Sequence, residues 1–184
     1  MTTNTDVVFT SEPHAGILQI HLNRPQQLNA LSEQVLTHLS SLFRIAKQDS
    51  AIRAILITGE GKAFCAGADI KQLASLDGLT GLTFAKFGQA TFRALETLGK
   101  PSLAAIQGFA FGGGCELAMS ATMRMAAENT LFGQPEVNLG VIPGFGGTQR
   151  LARLIGKGRA LDLCLTGRRF SAEDALQWGL ISEI

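Results

Sequence analysis

The order of apolar patterns along the chain predicts an α/β fold built on a mainly parallel sheet. Two short apolar runs, AILIT at 54–58 and SLAAIQ at 102–107, flank a helix-length stretch at 84–98. Strand, helix, strand alternation of this kind is how parallel sheets are assembled. Two glycine-rich segments, FGGG at 111–114 and PGFGG at 143–147, each run into a further helical pattern.

Taken in order, residues 16–23 (GILQIHLN) place Ile17, Ile20 and Leu22 among polar neighbours and end at Asn23, Arg24 and Pro25, as a strand does. From Ser32, a natural N-cap, Val35, Leu39, Leu42 and Ala46 recur at the spacing of an amphipathic helix. The run 54–58, closed by Gly59, has the continuous apolar character of a strand buried on both faces, and 102–107 repeats it. Between them, the helix at 84–98 is stopped by Gly99, Lys100 and Pro101. FCAGADI at 64–70 reads as a turn of small residues leading into a helix, with Asp69 near its cap. A last helix spans 171–178, where Ser171 and Asp174 stand at capping-box spacing and Gly179 lies beyond the end. With 184 residues and no low-complexity tract or linker, 1–184 reads as one domain.

Composition excludes several function classes. Sixteen basic against fifteen acidic side chains leave a net charge of +1, too little to attract nucleic acid or an acidic membrane surface. Cys65, Cys115 and Cys164 lack CxxC spacing and lie in apolar settings, which fits reduced thiols in the cytoplasm. His14, His21 and His38 show no metal-ligand spacing. The N-terminal 16 residues lack the basic and apolar blocks of a secretory signal. The apolar stretch 102–127 is interrupted by Gln107, the glycines, Glu116 and Arg124, so it reads as core and not as a membrane span.

The glycine clusters first suggest phosphate binding at helix N-termini. Neither supplies the lysine of a GxxxxGK loop, and neither contains GxGxxG. What remains is more general: glycines let a backbone approach a ligand closely, and amides at a helix start can donate to a developing negative oxygen. FGGGCELAMS (111–120) adds Glu116, a carboxylate in an otherwise apolar helix. Glu136, taken alone in FGQPE, reads as a loop acid after a proline.

LNRPQQLNAL, GKAFCAGADI, FGGGCELAMS, FGQPEVNLGVIPGFGGTQRL and LTGRRFSAEDALQWGL stand together in this order, and on them the chain closely resembles the enoyl-CoA hydratase (crotonase) family of the hydratase/isomerase superfamily over almost its whole length. The resemblance implies a crotonase-like fold, of the ClpP/crotonase type, in which a core sheet is surrounded by helices in a spiral of β-β-α units; it replaces the simpler parallel-sheet expectation. It implies a 2-trans-enoyl coenzyme A thioester as substrate, hydrated to the 3-hydroxyacyl thioester as in fatty-acid β-oxidation. Coenzyme A is then part of the substrate, and no cofactor is permanently bound. Ala68 and Gly113 would supply the two oxyanion-hole N–H groups. Glu116 would hold and activate water, and Glu136 would give a proton to C2. The backbone of Ala66, Gly67, Ala68, Asp69 and Ile70 would lie beside the adenine and pantetheine, with Gln27 and Leu28 on the adjacent loop, Lys62 near a phosphate and Gly144 close to the attacking water. The family's isomerases use the same enolate but commonly one carboxylate, so two glutamates favour hydration; a non-catalytic homologue or assembly module is the rival of another class. Family members form homotrimers or hexamers and continue into C-terminal helices beyond the position of GLISEI (179–184).

Overall fold

The computed structural model describes residues 6–184. Strand β1 (Val8–Ser11) pairs antiparallel with β2 (Ile17–Leu22); a 3-10 turn at Pro25–Gln27 and helix α1 (Glu33–Gln48) then lead to β3 (Ala54–Gly59), parallel to β2. The chain next crosses to a second layer, where Cys65 bridges to Ala110, before α2 (Ile70–Leu73) and α3 (Gly78–Glu96). It repeats the move with β4 (Ser102–Ile106), β5 (Phe109–Phe111) and α4 (Gly113–Ser120), and again with β6 (Met123–Ala126) and β7 (Leu131–Gly133), followed by a 3-10 turn at Pro135–Leu139 and helices α5 (Gly147–Ile155) and α6 (Lys157–Thr166). Strand β8 (Arg169–Ser171) and α7 (Ala172–Gln177) complete the described elements.

Each pass lays one strand beside the last in both layers. The first sheet runs β1-β2-β3-β4-β6, parallel except for β1, and the second runs β5-β7-β8. This is the expected spiral of β-β-α turns. The second sheet escapes a reading of periodicity because its strands are three residues long, less than two periods of alternation.

Local chemistry sets the helix starts. Ser32 Oγ accepts from the Val35 amide at 3.3 Å. At α7 both halves of the Ser171/Asp174 capping box form. Helix α3 begins six residues before the expected 84, because Asp77 and Thr80 make a second capping box that outweighs Gly78 and Gly81 in the first turn. The expected burial of β3 on both faces is corrected: Ile55, Ile57 and Gly59 are buried, while Ala54, Leu56 and Thr58 are half-exposed on the outer face. Among the described residues no helix is long and apolar enough to cross a membrane.

Candidate active site

Helix α4 is the centre of the molecule, with all eight of its residues buried. Its start requires glycine for two separate reasons. Gly112 has φ +49°, outside the comfortable range of an L side chain, and a Cβ on Gly114 would lie 2.1 Å from the carbonyl oxygen of Cys65. The helix therefore presses its first turn directly against the segment carrying Ala68.

That segment is held from the other side. The Leu31 amide donates to Gly67 O (2.8 Å) and the Asp69 amide to Leu31 O (3.0 Å), bracketing Ala68 in a short parallel bridge. The N–H of Ala68 consequently turns away from Leu31, towards α4: a Cβ on Gly113 would lie 3.3 Å from the Ala68 nitrogen. Neither the Ala68 nor the Gly113 amide donates to an acceptor among the described residues. Two unpartnered N–H groups thus lie side by side, the arrangement that receives a negative oxygen.

The loop 24–31 acts as the clamp. Buried Asn29 donates to Glu60 O (2.9 Å) and Ala63 O (2.8 Å) and accepts from the Arg24 amide (2.8 Å). Arg24 also pairs with Asp69 at 2.9 Å, and Asp69 caps α2 by accepting from the Lys71 and Gln72 amides. These side-chain hydrogen bonds fix the backbone on both sides of Ala68.

Glu116, 1% exposed, projects from the first turn of α4. Its Oε1 accepts from the Phe145 amide at 2.9 Å and the Gly147 amide at 2.6 Å. Burial pushes its pKa up to about 7, while the two amide donors and Arg150 oppose the rise. Glu136, on the 3-10 turn opened by Pro135, lies over the helix start: a Cβ on Gly112 would sit 2.8 Å from its Oε1. Burial, and then the charge of Glu116, push Glu136 up to about 8. Gln134 is fully buried and, with its amide nitrogen turned towards Glu136, donates to both carboxylate oxygens at 3.0 and 3.1 Å. Half-buried Cys164 on α6 feels both glutamates as well; burial and their charges raise its thiol.

The remaining expected residues fall around this centre unevenly. Leu28 O accepts from the Ala66 amide at 2.9 Å, so the loop with Gln27 and Leu28 adjoins the segment Ala66, Gly67, Ala68 and Asp69. Ile70 is 61% exposed at its end. Gly144 immediately precedes the Glu116 donor Phe145, and its carbonyl accepts from Gln89 at 2.8 Å. Lys62 is exposed on the loop after β3, without a hydrogen bond to the centre. The sequence reading missed Gln134, the Phe145 and Gly147 amides, and the clamp residues Arg24, Asn29 and Leu31. All of them lie inside the quoted motifs 22–31 and 132–151, but nothing local to those stretches shows which distant groups they meet.

A model of the enoyl-CoA hydratase/isomerase family matches residues 12–184. The chain is 44% identical over 174 residues to a short-chain-enoyl-CoA hydratase of Clostridium acetobutylicum, covering 94% of this chain and 67% of the relative. It is 42% identical over 180 residues to a crotonyl-CoA hydratase of Syntrophomonas wolfei, covering 97% and 68%. The crystal structure of an enoyl-CoA hydratase from Bacillus anthracis superposes with a TM-score of 0.92 at 40% identity, over 96% of this chain and 69% of that one. The chain spans about two thirds of the length of these relatives.

Proposed function

The chain belongs to the enoyl-CoA hydratase/isomerase family, and from that premise we propose that it adds water across the double bond of a 2-trans-enoyl coenzyme A thioester, giving the 3-hydroxyacyl thioester. The observation that carries the reading is the convergence of two unpartnered amides, Ala68 and Gly113, with two carboxyl groups, buried Glu116 and half-buried Glu136, whose pKa values are raised into the neutral range.

The thioester carbonyl oxygen sits between the Ala68 and Gly113 N–H groups. As water adds at C3 this oxygen gains enolate charge, which fixed donors stabilise more than the ground state; each is worth about 3 kcal/mol of barrier. Glu116 Oε1 is pinned by two amides, which leaves Oε2 to orient the water and take its proton. Glu136, whose pKa is the higher of the two, is the group kept protonated near neutrality, and it delivers a proton to C2. Hydroxide goes to C3 and hydrogen to C2, so water is added in full; proton exchange with solvent then returns Glu116 to its ionised form and Glu136 to its neutral one. Both groups act from one side of the double bond, which makes the addition syn. Coenzyme A lies along Gln27, Leu28 and the backbone of Ala66, Gly67, Asp69 and Ile70, with Lys62 near a phosphate and Gly144 beside the water.

The reading includes a cytoplasmic location, supported by three free cysteines, and a homotrimer or hexamer, supported by the exposed apolar side chains of Leu139, Val141, Ile142, Leu161 and Leu165. The test is loss of the conjugated-thioester absorbance of 2-trans-butenoyl-CoA. Wild type should consume it, and Glu116→Gln and Glu136→Gln should each lower kcat by about a hundredfold to ten-thousandfold. Bond migration without water uptake would replace hydration by isomerisation, and no turnover by wild type would remove the enzyme reading.

A further inference from the structure

The outer face of the first sheet carries a second constellation of reactive groups. Strand pairing sets Ser11 opposite Gln19 and Phe9 opposite His21, and β3 sets Thr58 opposite His21. Ser11 Oγ lies 2.8 Å from His21 Nε2, and His21 Nδ1 lies 2.7 Å from Glu60 Oε1. An ionised carboxylate only accepts, so Nδ1 carries the ring proton and Nε2 is left to accept from the serine hydroxyl. The ring is held in that orientation by Phe9, stacked on it with centroids 4.3 Å apart and planes within 8°. The Glu60 backbone is fixed in turn, its amide donating to Leu22 O and its carbonyl accepting from Asn29.

Nucleophile, base and orienting carboxylate therefore stand in hydrogen-bonded sequence, Ser11 and His21 on paired strands and Glu60 directly after β3, with the nucleophile exposed and the base side chain 13% exposed. A donor for a developing oxyanion is at hand in Gln19, beside Ser11 on the same face, whose Nε2 makes only a 3.4 Å contact with Thr58 Oγ1. Next to it lies an open surface depression of about 330 Å³, lined by the polar side chains of Gln19, His21, Thr58 and Glu60 together with apolar Ala105 and Met125. None of these side chains hydrogen-bonds to Glu116, Glu136 or the clamp side chains.

We propose that Ser11, His21 and Glu60 form a second, nucleophilic site that takes acyl groups from small carboxylic esters with good leaving groups. Ser11 Oγ attacks the ester carbonyl and passes its proton to His21 Nε2; the carbonyl–oxygen bond to the leaving group breaks, the alcohol departs with that proton, and water then releases the acid from the acyl-serine. Glu60 acts by orienting and stabilising the imidazole.

The probes are diisopropyl fluorophosphate, which forms a serine–phosphorus bond with loss of fluoride and does not turn over, and p-nitrophenyl acetate. Peptide mapping of the full chain should find the phosphoryl adduct on Ser11. Ser11→Ala should abolish that adduct, His21→Ala should slow it at least about tenfold, and Glu60→Gln should slow it several-fold; ester hydrolysis should fall in parallel. Hydration of 2-trans-butenoyl-CoA should be unchanged in all three variants, which also verifies that they fold. Absence of an adduct at Ser11, or equal labelling of wild type and His21→Ala, overturns the proposal whatever the outcome for hydration.

Discussion

In the proposed reaction Glu116 and Glu136 have different tasks because their oxygens meet different surroundings. Glu116 is more deeply buried, yet two backbone amides on one oxygen restrain the upward pull of burial; Glu136 adds to its own burial the charge of Glu116. The proposed reaction needs the first ionised and the second protonated. The kcat/KM for hydration should therefore follow a bell, rising through about 7 and falling through about 8, with the two limbs belonging to the coupled pair. A profile flat across that interval would remove the assigned roles. Gln134 belongs to the same scale: a fully buried amide whose nitrogen faces both oxygens of Glu136 and fixes where that carboxyl group points.

Helix α4 shows how one element carries both halves of the site. Its first amide faces Ala68, its first turn bears Glu116, and neither placement survives if the helix start is pushed away from Cys65. Gly114→Ala would drive a Cβ to 2.1 Å from a backbone carbonyl that cannot rotate aside. The expected cost is about 3 kcal/mol, with a fall in Tm of about 10 °C and loss of hydration. Gly158→Ala on α6 is the opposite case, because nothing lies within 4 Å of the added Cβ and the glycine is helical. It should raise stability by up to about 1 kcal/mol. Thermal unfolding of the two variants beside wild type separates steric exclusion from helix propensity; equal Tm values would contradict the close approach of α4 to Cys65.

Over the whole molecule, withdrawing Glu116 fully and Glu136 partly from solvent around the start of α4 makes stability depend on pH. Their folded pKa values are raised from 4.5 to about 7 and about 8, so between those limits the folded chain binds protons that the unfolded chain has released. Stability therefore falls as pH rises through this window, by on the order of a few kcal/mol in all. Urea midpoints should be higher at about pH 5 than at about pH 8, and Glu116→Gln should flatten the slope; a slope of opposite sign would show that the pair is charged at little cost. The sequence by itself determined what is local or strongly periodic: β2 to β4, the Ser32 and Ser171 caps, the glycine cluster before Glu116, and the family resemblance that pointed to Ala68, Gly113 and Glu136. Tertiary structure alone decided which amides stay unpartnered, which backbone donors hold Glu116 from 29 and 31 residues away, and that Ser11, His21 and Glu60 meet on one sheet face. The physical reason is range: caps and periods are written within a few residues, whereas a hydrogen bond across the spiral depends on where separate turns of the chain come to rest.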